Sequence, residues 1–199
     1  GSRSGFDAIE ECFDHQAKNI FALETGLSSD PAMNWRLKAL DRYALISNSD
    51  AHSARKIGRE ANVFDCPLEY DAIIAALKTK DPRRFLRTLE FFPEEGKYHY
   101  DGHRACQVRL SPADTKRHNF RCPSCGKRVT VGVMHRVEAL ADRPDGTAPD
   151  GAIPFQRMVP LEEIIAEALD ANVGTKAVER EYQDLLYKGG TEFNVLLRA

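Results

Sequence analysis

The sequence predicts an α/β fold for residues 1–95, followed by a small zinc-binding β module at residues 96–141 and a helical region at residues 142–199. Three observations predict this division. Short apolar runs alternate with a helical pattern in the first part, three cysteines are crowded into a short stretch after it, and two amphipathic segments follow. We therefore expect three consecutive segments, of which the last is a possible DNA-binding region.

The first segment has a strand, helix, strand order. An apolar run over residues 19–24 ends at a Thr-Gly turn, and residues 43–47 form a similar run, so both are predicted strands. Between them, apolar residues at helical spacing after Asp30 predict a helix that leads into the second strand. Residues 71–80 then predict another helix, and residues 84–92 predict a strand.

The rest of the chain alternates short β and longer helical patterns. Residues 129–133 predict a β-rich piece, and the stretch 142–154, which is rich in Pro and Gly, predicts a loop. Apolar residues recur at helical spacing over residues 161–168 and 178–186, which predicts two amphipathic helices. A short apolar segment over residues 193–197 closes the chain.

The composition predicts a globular protein. Hydrophobic residues make up 42% of the 199 residues, and no apolar run approaches the roughly 20 residues that span a bilayer. The start of the chain lacks the charged-then-apolar pattern of a secretory signal, so we expect a soluble, cytoplasmic protein with no membrane partner. Gly1-Ser2 has no initiator Met, which indicates that the sequence begins inside a longer protein.

The cysteines predict a metal site rather than disulfides, because their number is odd and three of them are crowded together. His103 and Cys106 are separated by two residues, as are Cys122 and Cys125, and fifteen residues lie between the two pairs. This spacing is typical of zinc ribbons, in which each pair aims two ligands at one ion. Three thiolates and one imidazole leave no open position, so the spacing predicts a structural zinc ion.

This site has alternatives at the level of sequence. His99 and His118 are both near enough in sequence to replace His103 as a ligand. His103 is favoured because two residues separate it from Cys106, so that it forms a second ligand pair with the spacing of Cys122 and Cys125. Alternatively, Cys106 is an ordinary buried thiol and the later cysteine pair is a redox pair. The two remaining cysteines are expected to be small buried residues: Cys12 and Cys66.

Charge is unevenly distributed along a chain whose formal net charge is only −2. Between residues 104 and 136 there are eight basic residues and one acidic residue, Asp114. The basic residues are Arg104, Arg109, Lys116, Arg117, Arg121, Lys127, Arg128 and Arg136. A basic patch around a metal site suits phosphate contacts, whereas a charge run by itself is equally typical of a solvated surface.

A second metal site is predicted where the strand at residues 43–47 ends, in the run from Ser47 to His52. Asp50 and His52 are two residues apart, and in an extended backbone such residues point to the same side. One carboxylate and one imidazole could therefore converge on a metal ion at the carboxyl end of the strand. A helix-capping Asp and a surface His explain the same two residues equally well.

Several blocks of sequence share the pattern of one known family. The blocks are residues 22–31, 47–53, 56–61, 91–99, 102–106, 122–125, 131–138, 160–165 and 181–182. They resemble the polymerase-and-histidinol-phosphatase (PHP) superfamily and, within it, the endonuclease Q family. The resemblance covers nearly the whole chain and is most specific in its middle.

The resemblance implies part of a metal-dependent endonuclease of DNA repair that nicks DNA 5′ to deaminated bases, such as uracil and hypoxanthine, or to abasic sites. It also implies a partial PHP βα barrel, whose metal ligands gather at the strand ends. Asp50 and His52 match the last ligand pair of that barrel, and Glu24 matches a strand-end acid that could equally well satisfy backbone amides. The implied catalytic metals are divalent ions, namely zinc, magnesium or manganese.

The sequence departs from the family pattern at its amino-terminal side. The His-x-His motif and the further His and Glu ligands of the barrel have no counterpart here, and His15 has no partner at ligand spacing. Because Asp50 and His52 alone cannot fill a multinuclear site, two-metal chemistry would be lost. We therefore expect the chain to be the carboxyl-terminal part of the enzyme and to be inactive by itself.

DNA that contains a deaminated base or an abasic site is the implied partner. Reading a damaged base in a duplex requires its extrusion into a pocket. The predicted phosphate contacts, each equally consistent with ordinary surface, are Arg104, Lys127, Arg128, Arg136 and, at a helix amino terminus, Lys176. The alternatives are a non-catalytic, zinc-dependent DNA-binding module and part of a PHP small-molecule phosphoesterase.

Overall fold

The computed structural model describes residue 6, residues 8–96 and residues 98–198. These residues form eight α-helices and seven β-strands, in the mixed α/β arrangement that the sequence predicts. None of these helices has both the length and the apolar character needed to cross a membrane. The chain divides into two compact units, Gly1–Gln156 and Arg157–Ala199, and the predicted segments 1–95 and 96–141 both lie in the first unit.

The strands are β1 (Ala22–Glu24), β2 (Ala44–Ile46), β3 (Ala61–Phe64), β4 (Phe85–Glu90), β5 (Asp101–His103), β6 (Val108–Leu110) and β7 (Phe155–Arg157). They form three small sheets: β1 pairs with β2 in parallel, and β5 pairs with β6 antiparallel. In the third sheet, β4 lies between β7 and β3, to which it is antiparallel. The helices are α1 (Ile9–Phe13), α2 (Pro31–Trp35), α3 (Tyr70–Thr79), α4 (Pro112–Arg117), α5 (Val133–Leu140), α6 (Leu161–Ala168), α7 (Lys176–Gly189) and α8 (Glu192–Arg198).

The core of the first unit packs α3 against strands from two sheets. Ala44, Ala76 and Phe85 are buried in one cluster, and the rings of Phe64 and Phe85 stack with their centroids 4.7 Å apart. Burying such apolar surface contributes about 25 cal/mol per Å². This core holds β2 in place, and the chain that leaves the carboxyl end of β2 carries the predicted catalytic ligands.

The helix that follows β1 is shorter than the sequence predicts. Asp30 caps α2 by accepting a hydrogen bond from the Met33 amide, but the helix ends at Trp35. The reason is a long-range contact, because Asp142 donates its amide to the carbonyl of Arg36 and accepts the amide of Lys38 on its carboxylate. These bonds take up backbone groups that a longer helix would need.

Residues 129–133 do not form the predicted β-rich piece beyond one bridge between Gly102 and Thr130. Val133 instead begins α5, because Gly132 donates its amide to the buried carboxylate of Asp101 at 2.7 Å. His135, in the first turn of α5, binds the same carboxylate through Nδ1 at 2.7 Å. These contacts with a distant residue override the β propensity of the local valines.

The described residues of the second unit form three helices. As predicted, α6 and α7 are amphipathic, and their apolar faces form a small core with Leu161, Ile165, Ala166 and Val178. Residues 193–197, predicted only as an apolar segment, belong to the helix α8. Glu192 anchors the start of α8, because its carboxylate accepts hydrogen bonds from the Leu161 amide and the Tyr182 hydroxyl.

Candidate metal centre and strand-end site

Four side chains that the sequence predicts as metal ligands lie together in the first unit. The ligand atoms of His103, Cys106, Cys122 and Cys125 all lie within 4.8 Å of one another, and Cys125 Sγ is 3.4 Å from His103 Nδ1. Within the described part of the chain, this is the one group of three or more His, Cys, Asp or Glu side chains that could hold a metal ion. Three sulfurs and one nitrogen fit a single tetrahedral ion and leave no position open.

A hairpin fixes the first ligand pair. β5 ends at His103, a short 3-10 turn leads to Cys106, and β6 then returns antiparallel with Val108 opposite His103. Gln107 closes the turn in a left-handed conformation with φ of 53°. Gly102 must lack a side chain, because a Cβ there would lie 2.2 Å from the carbonyl oxygen of Val108.

A tight turn fixes the second ligand pair. The Cys122 amide donates to the Lys127 carbonyl at 2.7 Å, and the Gly126 amide donates to the Cys122 carbonyl at 2.8 Å. Burial opposes ionisation of the Cys122 thiol, but hydrogen bonds from the Cys125 and Ser124 amides and from the Cys125 and Cys106 thiols together lower the pKa of Cys122. A lowered pKa favours the thiolate, which is the form that binds a metal.

The alternative histidines and the other cysteines lie outside this group. His99 is buried and His118 is exposed at the end of α4, so the structure places neither where it would replace His103. Cys12 is exposed because α1 buries none of its residues, so the interpretation of Cys12 as buried is wrong, and Cys66 is half-buried.

The loop with Asp50 and His52 lies beyond the carboxyl end of β2 and is not extended. β2 ends at Ile46, and Asp50 has a left-handed backbone with φ of 46°. Both side chains are exposed, and His52 Nδ1 lies 2.9 Å from the backbone oxygen of Asp50 and 4.0 Å from Asp50 Oδ1. The two side chains therefore approach each other through a loop, and not through the strand alternation that the sequence predicts.

Glu24 is exposed at the carboxyl end of β1. Because β1 and β2 are parallel, with Glu24 opposite Ile46, the ends of both strands lie at one edge of the sheet. Glu24 therefore lies at the same edge of the sheet as the loop that carries Asp50 and His52. As far as the described residues go, these three side chains do not make up a group that could hold an ion alone.

Two buried carboxyl groups near this edge were not singled out from the sequence. Glu60 is 3% exposed and Glu90 is fully buried. Glu60 Oε1 accepts the Phe91 amide at 3.3 Å, while Oε2 has no hydrogen-bond partner in the described structure. Burial raises the pKa of Glu60 to about 7, and the charge of Glu90 adds to this rise. The only signal in the sequence was the position of Glu60 in the family block 56–61, because glutamates are ordinarily exposed.

The Glu90 carboxylate is better satisfied than that of Glu60. Its two oxygens accept hydrogen bonds from the hydroxyls of Thr88 at 2.5 Å and Thr25 at 3.0 Å. Burial still raises the pKa of Glu90, although these hydroxyls and that of Ser47 oppose the rise. A network of buried acids and hydroxyls therefore lies beneath the strand ends.

We expect Glu60→Gln to make the stability of this chain less dependent on pH. The pKa of Glu60 rises from 4.5 to about 7 on folding. Between these two pH values, the folded state therefore keeps a proton on Glu60 that the unfolded state has lost. The contribution of Glu60 to the free energy of unfolding is therefore fully present below pH 4.5 and is lost as pH rises to about 7. Gln imitates the protonated form, so the variant should be more stable than the native chain by roughly 1 kcal/mol at pH 8 and little changed at pH 4.5.

Thermal denaturation at both pH values measures this effect. Glu95→Gln is the matched control because Glu95 is exposed, and it should change stability equally at both values. A Glu60→Gln variant that shows the same difference from the native chain at pH 4.5 and pH 8 would contradict the prediction.

The predicted phosphate-binding residues are all exposed but belong to different units. Those in the first unit are Arg104, Lys127, Arg128 and Arg136. Lys176 is exposed at the first position of α7, in the second unit. Lys127 and Arg128 directly follow the second ligand pair, so the exposed cations lie next to the metal centre in the chain.

A cavity of about 430 Å³ opens beside the metal centre, and His103 forms part of its wall. Aromatic and hydrogen-bonding side chains dominate the rest of the lining, which includes Tyr98, Tyr100, Arg104, Gln107 and Arg109. Both tyrosines are exposed, by 58% and 39%. The cavity therefore offers ring faces for stacking together with amide and guanidinium donors.

Comparison with known proteins gives matches along nearly the whole chain. The family model described as PHP-associated matches residues 38–82, and the one described as the MJ0043 C-terminal domain matches residues 160–199. The uncharacterized protein MJ0043 of Methanocaldococcus jannaschii is 31% identical over 202 residues, which cover 98% of this chain and 25% of that protein.

Two solved structures share both fold and sequence with the chain. The lesion-specific endonuclease PfuEndoQ from Pyrococcus furiosus superposes with a TM-score of 0.85 at 31% identity, over 96% of this chain and 47% of that chain. An endonuclease Q in complex with a 27-mer duplex substrate, with an abasic lesion at the active site, gives a TM-score of 0.79 at 30% identity. That match covers 94% of this chain and 47% of the other chain.

The chain thus combines a mixed α/β fold, a segment that matches the PHP-associated family model and a His/Cys group that could hold a metal ion. The predicted resemblance to the endonuclease Q family is confirmed, and the chain is related to that family along almost all of its length. The chain spans a quarter of MJ0043 and just under half of each endonuclease Q chain.

Proposed function

We propose that this chain is part of a metal-dependent DNA-repair endonuclease that nicks DNA 5′ to deaminated bases, such as uracil and hypoxanthine, or to abasic sites. The observation that carries the proposal is its likeness, over 94% of its length, to an endonuclease Q in complex with a lesion-containing duplex. Asp50 and His52, at one sheet edge with Glu24, are the side chains in this chain that suit a catalytic metal.

In this proposal, Asp50 and His52 hold a divalent ion (zinc, magnesium or manganese), and Glu24 supplies negative charge at the same edge. Such an ion lowers the pKa of a bound water and neutralises charge on the scissile phosphate. Asp50 offers carboxylate oxygens, and His52 offers Nε2 because its Nδ1 faces the Asp50 carbonyl. Two side chains leave most coordination positions to other ligands, so the 199 residues alone should not nick DNA.

The Cys/His centre, in contrast, holds one structural zinc ion. Three sulfurs and one imidazole suit zinc, and a filled tetrahedron leaves no site for an activated water. The centre would therefore shape the surrounding β module and its exposed cations. Arg104, Lys127, Arg128 and Arg136 would then contact phosphates close to the damaged base, and Lys176 would contact phosphate from the second unit.

The cavity beside the metal centre is the proposed receptor for an extruded base. A base inside a duplex hides its distinguishing edge, so an enzyme must move it into a pocket to read it. Tyr98 and Tyr100 would stack on its ring, while Gln107 and Arg109 would bind its edge. An abasic site would need no such contact, but its missing base lowers the cost of extrusion.

A longer protein that contains these residues tests the proposal. Labelled duplexes with one uracil, one hypoxanthine or one abasic site should be nicked on the 5′ side of the lesion when a divalent metal is present. An undamaged duplex and the 199-residue chain alone should give no product. Hydrolysis of a free phosphomonoester without nicking of any lesion duplex would overturn the proposal and favour a small-molecule phosphoesterase.

A non-catalytic DNA-binding module is the second candidate, and the exposure of Lys127 and Arg128 next to the metal centre favours it. It would show as salt-sensitive binding by the chain alone, weakened when both residues are changed to Glu, with no nicking by the longer protein.

A further inference from the structure

A half-buried asparagine of one sheet holds the end of a strand that belongs to another. Asn62 lies in β3, yet its Oδ1 accepts the Ser47 amide at 2.9 Å and its Nδ2 donates to the Ser47 carbonyl at 2.7 Å. The carboxamide thus pairs with Ser47 as a neighbouring strand would, with one donor and one acceptor. Nδ2 also lies 3.2 Å from Asn48 Oδ1. Asn62 therefore fixes the backbone immediately beyond β2.

Two further contacts fix the same stretch. The Ser47 hydroxyl, fully buried, donates to the Leu89 carbonyl of β4 at 2.8 Å. Arg59, just before β3, donates from Nε to the Ser49 carbonyl at 2.8 Å. The three residues before Asp50 are thus held by groups of the β3-β4 sheet and by Arg59, which precedes that sheet.

The backbone of this stretch decides where the proposed ligand atoms lie. Asp50 has a left-handed conformation, which places its carbonyl 2.9 Å from His52 Nδ1. When that carbonyl accepts a hydrogen bond from Nδ1–H, the lone pair of the neutral imidazole is on Nε2, which can then bind a metal. A shift of the Asp50 backbone would therefore move both the carboxylate and the tautomer-fixing carbonyl.

We propose that Asn62 and Arg59 are positioning residues for the catalytic metal ligands Asp50 and His52, which they hold through the backbone of residues 47–49. This inference rests on the proposed function. In this inference both residues act by restricting the loop, because their observed contacts are with backbone groups of Ser47 and Ser49. Outer-shell partners of this kind change metal affinity or activity by about 10–100-fold when they are removed.

The test uses the longer protein and measures nicking of an abasic duplex against the concentration of manganese. Asn62→Leu keeps the size of the side chain but loses its donor and acceptor, so the half-saturating metal concentration should rise about 10-fold. Arg59→Met should raise it as well, and Arg59→Lys should restore part of the effect because it keeps a donor. Gln156→Leu is the matched control, since it removes a side-chain amide whose oxygen accepts from the exposed Arg87, at 3.2 Å, rather than from residues 47–49.

The metal dependence separates positioning from simple stabilisation. A purely structural role would lower the melting temperature of Asn62→Leu and leave its half-saturating metal concentration equal to that of the native protein, which would overturn the inference. If Asn62→Leu does not fold, the comparison of Arg59→Met with Arg59→Lys decides by the same measurement. Failure of the proposed function is distinguishable, because the native longer protein would then nick no lesion duplex at any manganese concentration.

Discussion

Removal of the metal from the Cys/His centre should unfold the β module around it and leave the core around Phe85 folded. Of the described residues between 98 and 141, only two apolar side chains are buried, Cys122 and Val129. So small a core cannot offset the entropy of ordering this segment. A structural zinc ion contributes about 10–16 kcal/mol in comparable small sites, and this contribution is folding free energy.

Cys122→Ser is the sharpest variant for this prediction, because Cys122 is both the buried ligand and part of that small core. Its zinc content should fall from one ion per chain to nearly none. The amides of Gly102 and Thr130, which bond each other's carbonyls at 2.9 and 2.7 Å, should lose protection against hydrogen exchange. Amides between β3 and β4 should keep theirs, because the Phe85 core lies beside them.

Cys66→Ser controls for the loss of a thiol, since Cys66 lies outside the metal centre. It should retain one zinc ion and native exchange rates. If Cys122→Ser also retains zinc and the protection of Gly102 and Thr130, the centre does not stabilise the module.

The parts of the molecule that depend on nearby residues could be predicted from the sequence. A two-residue gap between ligands specifies a turn by itself, so the pairs His103–Cys106 and Cys122–Cys125 were identified without knowledge of the fold. The helix α3 and the parallel strands β1 and β2 were predicted for the same reason, because their apolar spacing is a local pattern.

The parts of the molecule that depend on distant residues could not be predicted from the sequence. α5 begins where it does because Asp101 binds the Gly132 amide and the His135 ring, contacts that span more than thirty residues. A Cβ at Gly132 would lie 2.5 Å from the Tyr100 carbonyl group, so the glycine there reflects packing rather than a local turn. β3 and β7 were missed in the same way, since each is short and depends on pairing with β4.

The strand-end site was predicted in its residues but not in its geometry. Asp50 and His52 were named for strand alternation, whereas a left-handed residue and a loop bring them together. The residues that hold this loop, Asn62 and Arg59, are fifteen and ten residues away from the backbone groups that they bind. Only the folded structure brings them together.

Asp50→Asn in the longer protein should lower the rate of lesion nicking by on the order of 1,000-fold, since the loss of a metal-ligating charge removes several kcal/mol of transition-state stabilisation. Asn keeps the size of the side chain and tolerates the left-handed backbone at φ of 46°, so the loop should keep its shape. Asp50→Ala should show at least the same loss. Single-turnover nicking of a labelled abasic duplex at saturating protein measures the rate.

Asp170→Asn and Asp170→Ala are matched controls, because Asp170 is also exposed and left-handed, with φ of 49°, but lies in the second unit. They reproduce the backbone cost without the loss of a proposed metal ligand, so nicking should stay within a few-fold of the native rate. Asp50→Asn should still bind the duplex, since phosphate contacts from exposed cations supply most of the affinity. Nicking by Asp50→Asn and Asp50→Ala at the rate of the Asp170 variants would show that this strand end holds no catalytic metal.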